Sequence, residues 1–185
     1  DWKGVQWGTS QNVRQGGASV EWNLGWGWNT PTENLVSSWP DDDPRKWETV
    51  LFSGKYDGGD TAGGYGATLP PYNPGTSLDQ PYWNKKVYSD PKMRAFTGQI
   101  NNAGGADWIN HRIMRYADVL LMLAEADNEL GNSAEASTYI NMVRKRARFD
   151  GSIYRDALPD YTNLSQADFR TAVLKERRWE FVAEG

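Results

Sequence analysis

The chain has 185 residues, with 20 basic and 24 acidic side chains, a formal net charge of −4, one histidine and no cysteine. This length suits one domain or part of a larger protein. The lack of cysteine excludes disulfides, thiol nucleophiles and cysteine-ligated zinc, and the slightly acidic balance argues against a nucleic-acid partner. The sequence begins without the basic and apolar segments of a signal peptide, and no apolar run is long enough to span a membrane.

The composition changes sharply near residue 110. Residues 1–110 hold 16 of the 19 glycines, 8 of the 9 prolines and 9 of the 10 tryptophans. Glycine and proline favour turns, so this part is predicted to be loop-rich with short strands. Within it, the glycine- and proline-rich stretch 57–75 is predicted to be a surface loop and a candidate for disorder. Residues 111–185 are predicted to be helical, which makes the protein mainly α.

The first predicted helix covers residues 113–130. Its apolar positions share one face, which two further residues widen, so we expect much of its surface to be buried. The face comprises 113, 117, 120 and 124, widened by 116 and 123. Gly131 is suited to the left-handed position that ends a helix. Asn132 follows as a candidate N-cap, with Glu135 at the spacing of a capping box.

The second helix, ending at about 148, has apolar residues at 136, 139, 140, 143 and 147. Its arginines, including Arg144, are placed mostly on the other faces. The hairpin 113–148 resembles a tetratricopeptide unit, which usually needs stacked neighbours, and no second copy occurs in the chain. A third helix is predicted over 165–183, with Ser165 as N-cap and Asp168 in its first turn.

Three separate motifs resemble the SusD/RagB family, in that family's order and approximate spacing. They are PTENLVSSWPDDDPRKWETVLF at 31–52, RYADVLLMLAEADNELGNSAEASTYINMVRKRAR at 115–148 and LKERRWEFVAEG at 174–185. The resemblance implies a SusD-like fold and a surface-exposed outer-membrane lipoprotein of Gram-negative bacteria. It also implies a glycan ligand, or a peptide in a minority of members, and a SusC-like TonB-dependent transporter as partner.

Compared with a full-length member of that family, the chain is expected to be the C-terminal portion. We expect it to lack the signal peptide, the lipid-bearing cysteine, the N-terminal half and the extreme C-terminus of a full-length member. Membrane attachment is therefore expected only through a lipid anchor that this chain does not carry.

Aromatic residues are the candidates for glycan contact, because sugar rings lay their C–H faces on flat aromatic side chains. The first group is Trp22, Trp26 and Trp28. An extended strand would place all three on one face, since their numbers differ by even steps. The second group is Tyr82, Trp83 and Asn84. Packing inside the loop-rich part is the alternative for either group.

The charged candidates are interpreted as structural. Asp43 and Arg45 are expected to hold local geometry, and a dense cluster on the third helix is expected to form interlocking ion pairs that reach Arg144 or Asp118. That cluster is Glu176, Arg177, Arg178 and Glu180. A paired-carboxylate glycosidase is the alternative, but its carboxylates flank a cleft, whereas these two lie side by side on one helix.

No cofactor motif is present, and no metal site is predicted. Asp57 and Asp60 are weak calcium candidates, and His111 has no second histidine or cysteine with which to share a metal. We therefore predict a non-enzymatic protein that captures a glycan and delivers it to the transporter. The alternatives are a module that docks the transporter and a protein that captures a peptide.

Overall fold

The computed structural model describes residues 7–15, 22–59, 63–76, 78–90, 111–149 and 153–184. The helices are α1 (Trp7–Gln11), α2 (Glu33–Ser38), α3 (Pro44–Thr49), α4 (Tyr116–Leu130), α5 (Ser133–Arg148) and α6 (Gln166–Glu180), with a 3₁₀ turn at Lys85–Val87. Two short strands, β1 (Val50–Phe52) and β2 (Tyr82–Asn84), complete the elements. The described part of the chain is thus mainly α, as predicted.

The chain divides into two compact units. The loop unit comprises Asp1–Ser38, Trp47–His111 and Glu184, and the helical unit comprises Trp39–Lys46, Arg112–Ala183 and Gly185. Residues 39–46 therefore pack with the helices, although the sequence-based boundary near 110 assigned them to the loop-rich part. The reason is the buried Arg45 side chain, which bonds carboxylates of α6.

The loop unit is organised around one antiparallel strand pair. Leu51 pairs with Trp83, and Phe52 pairs with Tyr82. Side chains alternate between the two faces of a strand, so Leu51 and Trp83 face the core while Phe52 and Tyr82 face the other way. The core consists of Val13, Trp22, Leu24, Leu51, Leu69, Trp83 and Tyr88. Three large aromatic rings thus share this core with four aliphatic side chains.

The described part of the glycine-rich stretch is a loop with a defined hydrogen-bond network. The loop is built around the buried Asp57, whose carboxylate accepts backbone N–H bonds from Gly59, Tyr65 and Gly66 at 2.9, 2.8 and 3.1 Å. Its Oδ2 also accepts from the Tyr88 hydroxyl. A Cβ on Gly64 would lie 2.6 Å from this carboxylate, so the loop requires glycine there.

The helix ends confirm most of the local signals in the sequence. Gly131 adopts φ 84° and ends α4, and the Asn132 N–H donates to the Asp127 carbonyl at 2.8 Å. Asn132 is the N-cap of α5, but the predicted capping box is wrong: its side chain makes no cap bond and donates instead to the Asp127 carboxylate. Ser165 caps α6 by accepting from the Asp168 N–H, as predicted.

The helical boundaries differ from the prediction at two ends. The first helix begins at Tyr116, so the residues from 113 to 115 precede it, and the third helix ends at Glu180 instead of 183. Differences of this size are common because helix ends fray and their last turns are irregular.

The core of the helical unit lies among α4, α5 and α6. It consists of Leu120, Leu121, Ala124, Ala136, Ile140, Val143, Phe169, Ala172 and Val173. The wider buried face expected for α4 is wrong, since Tyr116 and Leu123 are exposed, as is Ile113 before the helix. No helix among the described residues is long and apolar enough to cross a membrane.

Candidate functional site

The predicted glycan-contact residues lie in the loop unit and divide into buried and exposed members. Trp83 is fully buried, and its Nε1 donates to Gln15 Oε1 at 2.9 Å and to Ser53 Oγ at 3.1 Å. Its ring also packs against the backbone of Gly27, where a Cβ would come within 3.0 Å of the indole. Trp83 therefore has neither a free face nor a free donor for a ligand.

Trp22 and Asn84 are buried as well. Trp22 belongs to the loop-unit core. The Asn84 side chain accepts from the Lys86 N–H at 3.0 Å, which caps the 3₁₀ turn, and donates to Gln11 Oε1 at 3.0 Å. For these two residues and Trp83, packing replaces the predicted ligand contact, because their surfaces and hydrogen-bonding groups are used within the protein.

Trp26 and Trp28 remain at the surface and contact each other. Their ring centroids lie 5.0 Å apart with an interplanar angle of 62°. Trp28 is 60% exposed, and Trp26 is half-buried. The segment is not a regular strand, because Gly27 adopts φ 72° and turns the chain between the two rings.

Backbone and side-chain bonds hold this tryptophan pair in place. The Gly27 N–H donates to the Asn12 carbonyl at 3.1 Å, and the Trp28 N–H donates to the Ser10 carbonyl at 2.9 Å. The Asn29 amide donates to Gln11 Oε1 at 2.8 Å. An exposed indole on a braced backbone loses little conformational entropy when it binds a ligand, which favours affinity.

Tyr82 is half-buried at the edge of the strand pair, with a well-defined hydroxyl partner. The hydroxyl donates to Glu33 Oε2 at 2.7 Å. This hydrogen bond, burial and the negative charge of Glu33 together raise the pKa of Tyr82, so the hydroxyl stays protonated. Tyr82 also contacts Phe52 edge to face, with centroids 5.5 Å apart.

Sequence reasoning missed the residues that extend this aromatic surface. Trp47 is 47% exposed, and its ring lies 5.1 Å from that of Phe52. The exposed Glu33 carboxylate completes the group through its bond to Tyr82. The signal available in the sequence was the short strand VLF after Trp47, whose alternation places Phe52 on the face opposite Leu51.

The carboxylate of Asp57, a weak calcium candidate, already accepts hydrogen bonds from groups of the protein itself. Burial opposes its charge, but the backbone N–H bonds from Tyr65 and Gly59 outweigh this effect and lower the pKa of Asp57. Nearby, burial lowers the pKa of Lys85, whose ammonium donates to the Asp57 carbonyl at 2.6 Å. The other calcium candidate, Asp60, lies outside the described residues. Among those that are described, no three metal-ligating side chains converge.

The charged candidates form a buried ion network in the helical unit. Arg45 donates to Asp43 at 2.7 Å, to Glu176 at 2.5 Å and to Glu180 at 3.1 Å. The neighbouring carboxylates raise the pKa of Arg45 against the opposing effect of burial, so the guanidinium stays charged. Asp43 and Arg45 thus bond each other, and Arg45 also connects residues 39–46 to α6.

Further arginines complete the network on α6. Arg144 donates to the second oxygen of Glu176 at 2.8 Å, and is buried, contrary to its predicted placement away from the core face. Arg115 and Arg146 both bond Glu180. The ion pair between Arg177 and Asp118 measures 2.7 Å, and Arg178 is exposed.

The two carboxylates that could act in catalysis are already bonded within this ion network. Both oxygens of Glu176 accept from arginines, and so do both oxygens of Glu180. A glycosidase needs one carboxyl group that can hold a proton and a second that can attack or activate water. The arginines that surround Glu180 lower its pKa despite its burial, which disfavours a proton donor there.

The structure therefore combines a helical hairpin with a loop unit whose exposed candidate residues are aromatic. Its family follows from comparison with known sequences, since the SusD family model matches residues 4–185. The chain belongs to the SusD family.

The relatives and solved structures agree with this assignment. SusD-like protein P2 from Formosa agariphila is 28% identical over 179 residues, which cover 92% of this chain and 32% of that protein. A SusD superfamily protein from Bacteroides vulgatus has a TM-score of 0.58 at 24% identity, covering 94% of this chain and 34% of that one. Surface glycan-binding protein A from Bacteroides uniformis has a TM-score of 0.55 at 26% identity, covering 86% of this chain and 28% of that one. The chain thus spans about a third of the length of these proteins.

Proposed function

We propose that this chain is the glycan-contacting part of a SusD-family surface protein that captures an oligosaccharide or polysaccharide. Family membership supports this proposal, as does the similarity in fold to surface glycan-binding protein A from Bacteroides uniformis. In this account the glycan passes uncleaved to a SusC-like TonB-dependent transporter. The protein is held at the cell surface of the outer membrane by a lipid anchor.

The proposal rests on the exposed Trp28 indole, which contacts the half-buried Trp26 edge to face. The two rings form an aromatic corner, because their planes are inclined by 62°. One sugar face can stack on Trp28 while the edge of the same ring meets Trp26. Neutral stacking of this kind binds a sugar reversibly and breaks no bond.

Binding without cleavage is supported by the state of the best catalytic candidates. Glu176 and Glu180 are the only pair that suggested a glycosidase in the sequence, and both are paired with arginines. We therefore propose capture and delivery as the function.

Titration calorimetry with a panel of soluble glycans tests the proposal. The wild type should bind at least one member, and Trp28→Ala should weaken that binding by about tenfold, the loss of one well-buried stacking contact. Trp28→Phe should recover part of the affinity. Tyr72→Ala, which removes another exposed aromatic ring of the loop unit, is the matched control and should bind like the wild type.

Two results would contradict the proposal. Absence of binding to every glycan in the panel would reject glycan capture by this chain. Release of reducing ends from a bound polysaccharide would reject non-catalytic delivery. Co-purification with the transporter without sugar, combined with wild-type affinity of Trp28→Ala, would instead favour the docking alternative.

A further inference from the structure

The helical unit contains a cleft that none of the predicted site residues lines. It lies between one side of α5 and the segment 160–164, which precedes α6, and its volume is about 710 Å³. Ligand pockets in proteins usually measure about 300–1,000 Å³, so this cleft is large enough for a short oligosaccharide. All of its lining residues belong to the described part of the helical unit.

Hydrogen bonds hold the segment 160–164 beside α5 and give the cleft its shape. The Asn141 amide donates to the Tyr161 carbonyl at 2.9 Å, and the Tyr161 N–H donates to Asn141 Oδ1 at 2.8 Å. Arg144 donates to the Pro159 carbonyl at 2.9 Å, and its guanidinium lies 4.1 Å from the centre of the Tyr161 ring. Because the protein itself orders these walls, a ligand loses little affinity to conformational entropy.

The lining of the cleft is mostly neutral and polar. Ser137 and Thr138 line it from α5, and Asn163 lines it from the opposite wall. The Thr138 hydroxyl donates to the carbonyl four residues earlier at 3.0 Å, so its oxygen can still accept a hydrogen bond from a ligand. The charged lining groups are one ammonium and one carboxylate, from Lys145 and Asp160, so the cleft does not favour a charged ligand.

Met142 adds an apolar contact to this polar cleft. Its side chain is 41% exposed, and a thioether is flexible and polarisable enough to follow the surface of a ligand. A sugar ring combines an apolar C–H face with a rim of hydroxyl groups, so it matches both parts of the lining. An apolar ligand would contact Met142 but would cover the Ser137 hydroxyl and the Asn163 amide without offering them hydrogen bonds, which costs free energy.

We propose that this cleft is a second carbohydrate-binding site, which takes a short neutral oligosaccharide. Met142 contacts the C–H face of a sugar ring, and Ser137, Thr138 and Asn163 exchange hydrogen bonds with its hydroxyl groups. The inference rests on the proposed glycan-binding function and adds to it a site in the helical unit. The site shares no residue with the tryptophan pair of the loop unit, so the two can be tested separately.

Oxidation of methionine by hydrogen peroxide, followed by peptide mass spectrometry, tests the cleft with the full 185-residue chain. Met142 and Met122 are 41% and 42% exposed, but Met122 does not line the cleft. The probes are maltohexaose, cellohexaose, xylohexaose and mannohexaose at saturating concentration. We expect at least one of them to slow the oxidation of Met142 severalfold and to leave that of Met122 unchanged. Full-rate oxidation of Met142 with every probe that calorimetry shows to be bound would overturn the inference.

A pair of matched variants tests the hydrogen bonds. Thr138→Val removes one hydroxyl and keeps the shape of the side chain, so the oligosaccharide concentration that half-protects Met142 should rise by roughly fivefold. Thr171→Val is the control, because the Thr171 hydroxyl also donates to the carbonyl four residues earlier, on α6 and away from the cleft. It should protect Met142 like the wild type. An equal rise in both variants would overturn the inference, since the effect would then come from the helices and not from a ligand contact.

The outcomes separate the cleft from the proposed function. Protection of Met142 that persists in Trp28→Ala would support a sugar in the cleft. Binding that Trp28→Ala weakens, with Met142 unprotected throughout, would reject the cleft and leave the proposed function intact. Protection of Met142 by short peptides but by none of the oligosaccharides would reject a sugar in favour of a peptide. No binding of any glycan would overturn both proposals.

Discussion

The guanidinium of Arg45 donates to the carboxylate of Glu176 at 2.5 Å, across 131 positions of sequence, with both side chains buried. Arg144 occupies the second oxygen of the same carboxylate. Through these bonds the turn that carries Asp43 is fixed against α6. The buried ion network of the helical unit is therefore structural, which leaves the aromatic surface of the loop unit and the cleft beside α5 as the functional candidates.

Removal of Arg45 should strongly destabilise the helical unit. In Arg45→Met the carboxylate of Asp43 loses its guanidinium partner and stays buried, a type of change that costs about 3–5 kcal/mol. The free energy of unfolding in urea, followed by circular dichroism, measures this loss. Arg170→Ala breaks an exposed pair with Glu129 and serves as the control, for which we expect no measurable change. Equal midpoints for the two variants would contradict the structural role of Arg45.

Glu180 should make stability dependent on pH in the acid range. Burial opposes its charge, but Arg146, Arg115 and Arg45 hold its pKa below the ordinary value of 4.5. The charged carboxylate therefore stabilises the fold fully above about pH 4.5, and this contribution is lost as the pH falls through the lowered pKa. The difference in unfolding free energy between the wild type and Glu180→Gln should be constant from pH 7 to 5 and should shrink below that. A difference that grows on acidification would contradict this sign.

Gly64 should not tolerate a side chain. A Cβ there would lie 2.5 Å from the Asp57 carbonyl oxygen and 2.6 Å from its carboxylate, so Gly64→Ala must displace the loop. We expect a loss of about 1–3 kcal/mol in the free energy of unfolding, typical of overpacking. Gly75→Ala is the control, because its nearest neighbour, Asn73 Oδ1, lies 3.2 Å away at an exposed turn. Similar stabilities of the two variants would show that the Asp57 loop is looser than described.

Removal of Trp83 should lower the free energy of unfolding much more than removal of Trp28. Trp83 is fully buried with a bonded Nε1, so Trp83→Ala should lower the free energy of unfolding by about 3–5 kcal/mol. Trp28 is 60% exposed, so Trp28→Ala should change it by no more than about 0.5 kcal/mol. Thermal unfolding of both variants measures the contrast. A large loss for Trp28→Ala would indicate that this indole packs and does not serve a ligand.

The sequence was sufficient where a short-range signal decides the structure. Gly131 ends α4 in the left-handed conformation, and Ser165 caps α6, because both effects depend on residues within one turn. The apolar spacing of α5 also identified its buried face, from Ala136 to Ala147. The SusD family motifs then located these helices within a known fold.

The sequence was insufficient where long-range contacts decide which side chains are buried. Trp83 is buried through the pairing of β2 with β1, which lie about thirty positions apart, and through its packing against Gly27. Arg144 is buried because its partner Glu176 is on another helix, and a helical period cannot reveal that partner. The nearness of Trp47 and Phe52 to Tyr82 was missed for the same reason, since Trp47 and Tyr82 belong to separate elements.

Footprinting by hydroxyl radicals, with peptide mass spectrometry, tests most directly whether sugar occupies the exposed indole. A saturating glycan should lower the oxidation of Trp28 severalfold and should leave Tyr154, an exposed aromatic of the helical unit, unchanged. Unaltered oxidation of Trp28, under conditions in which calorimetry shows the glycan bound, would contradict the stacking of sugar on this indole.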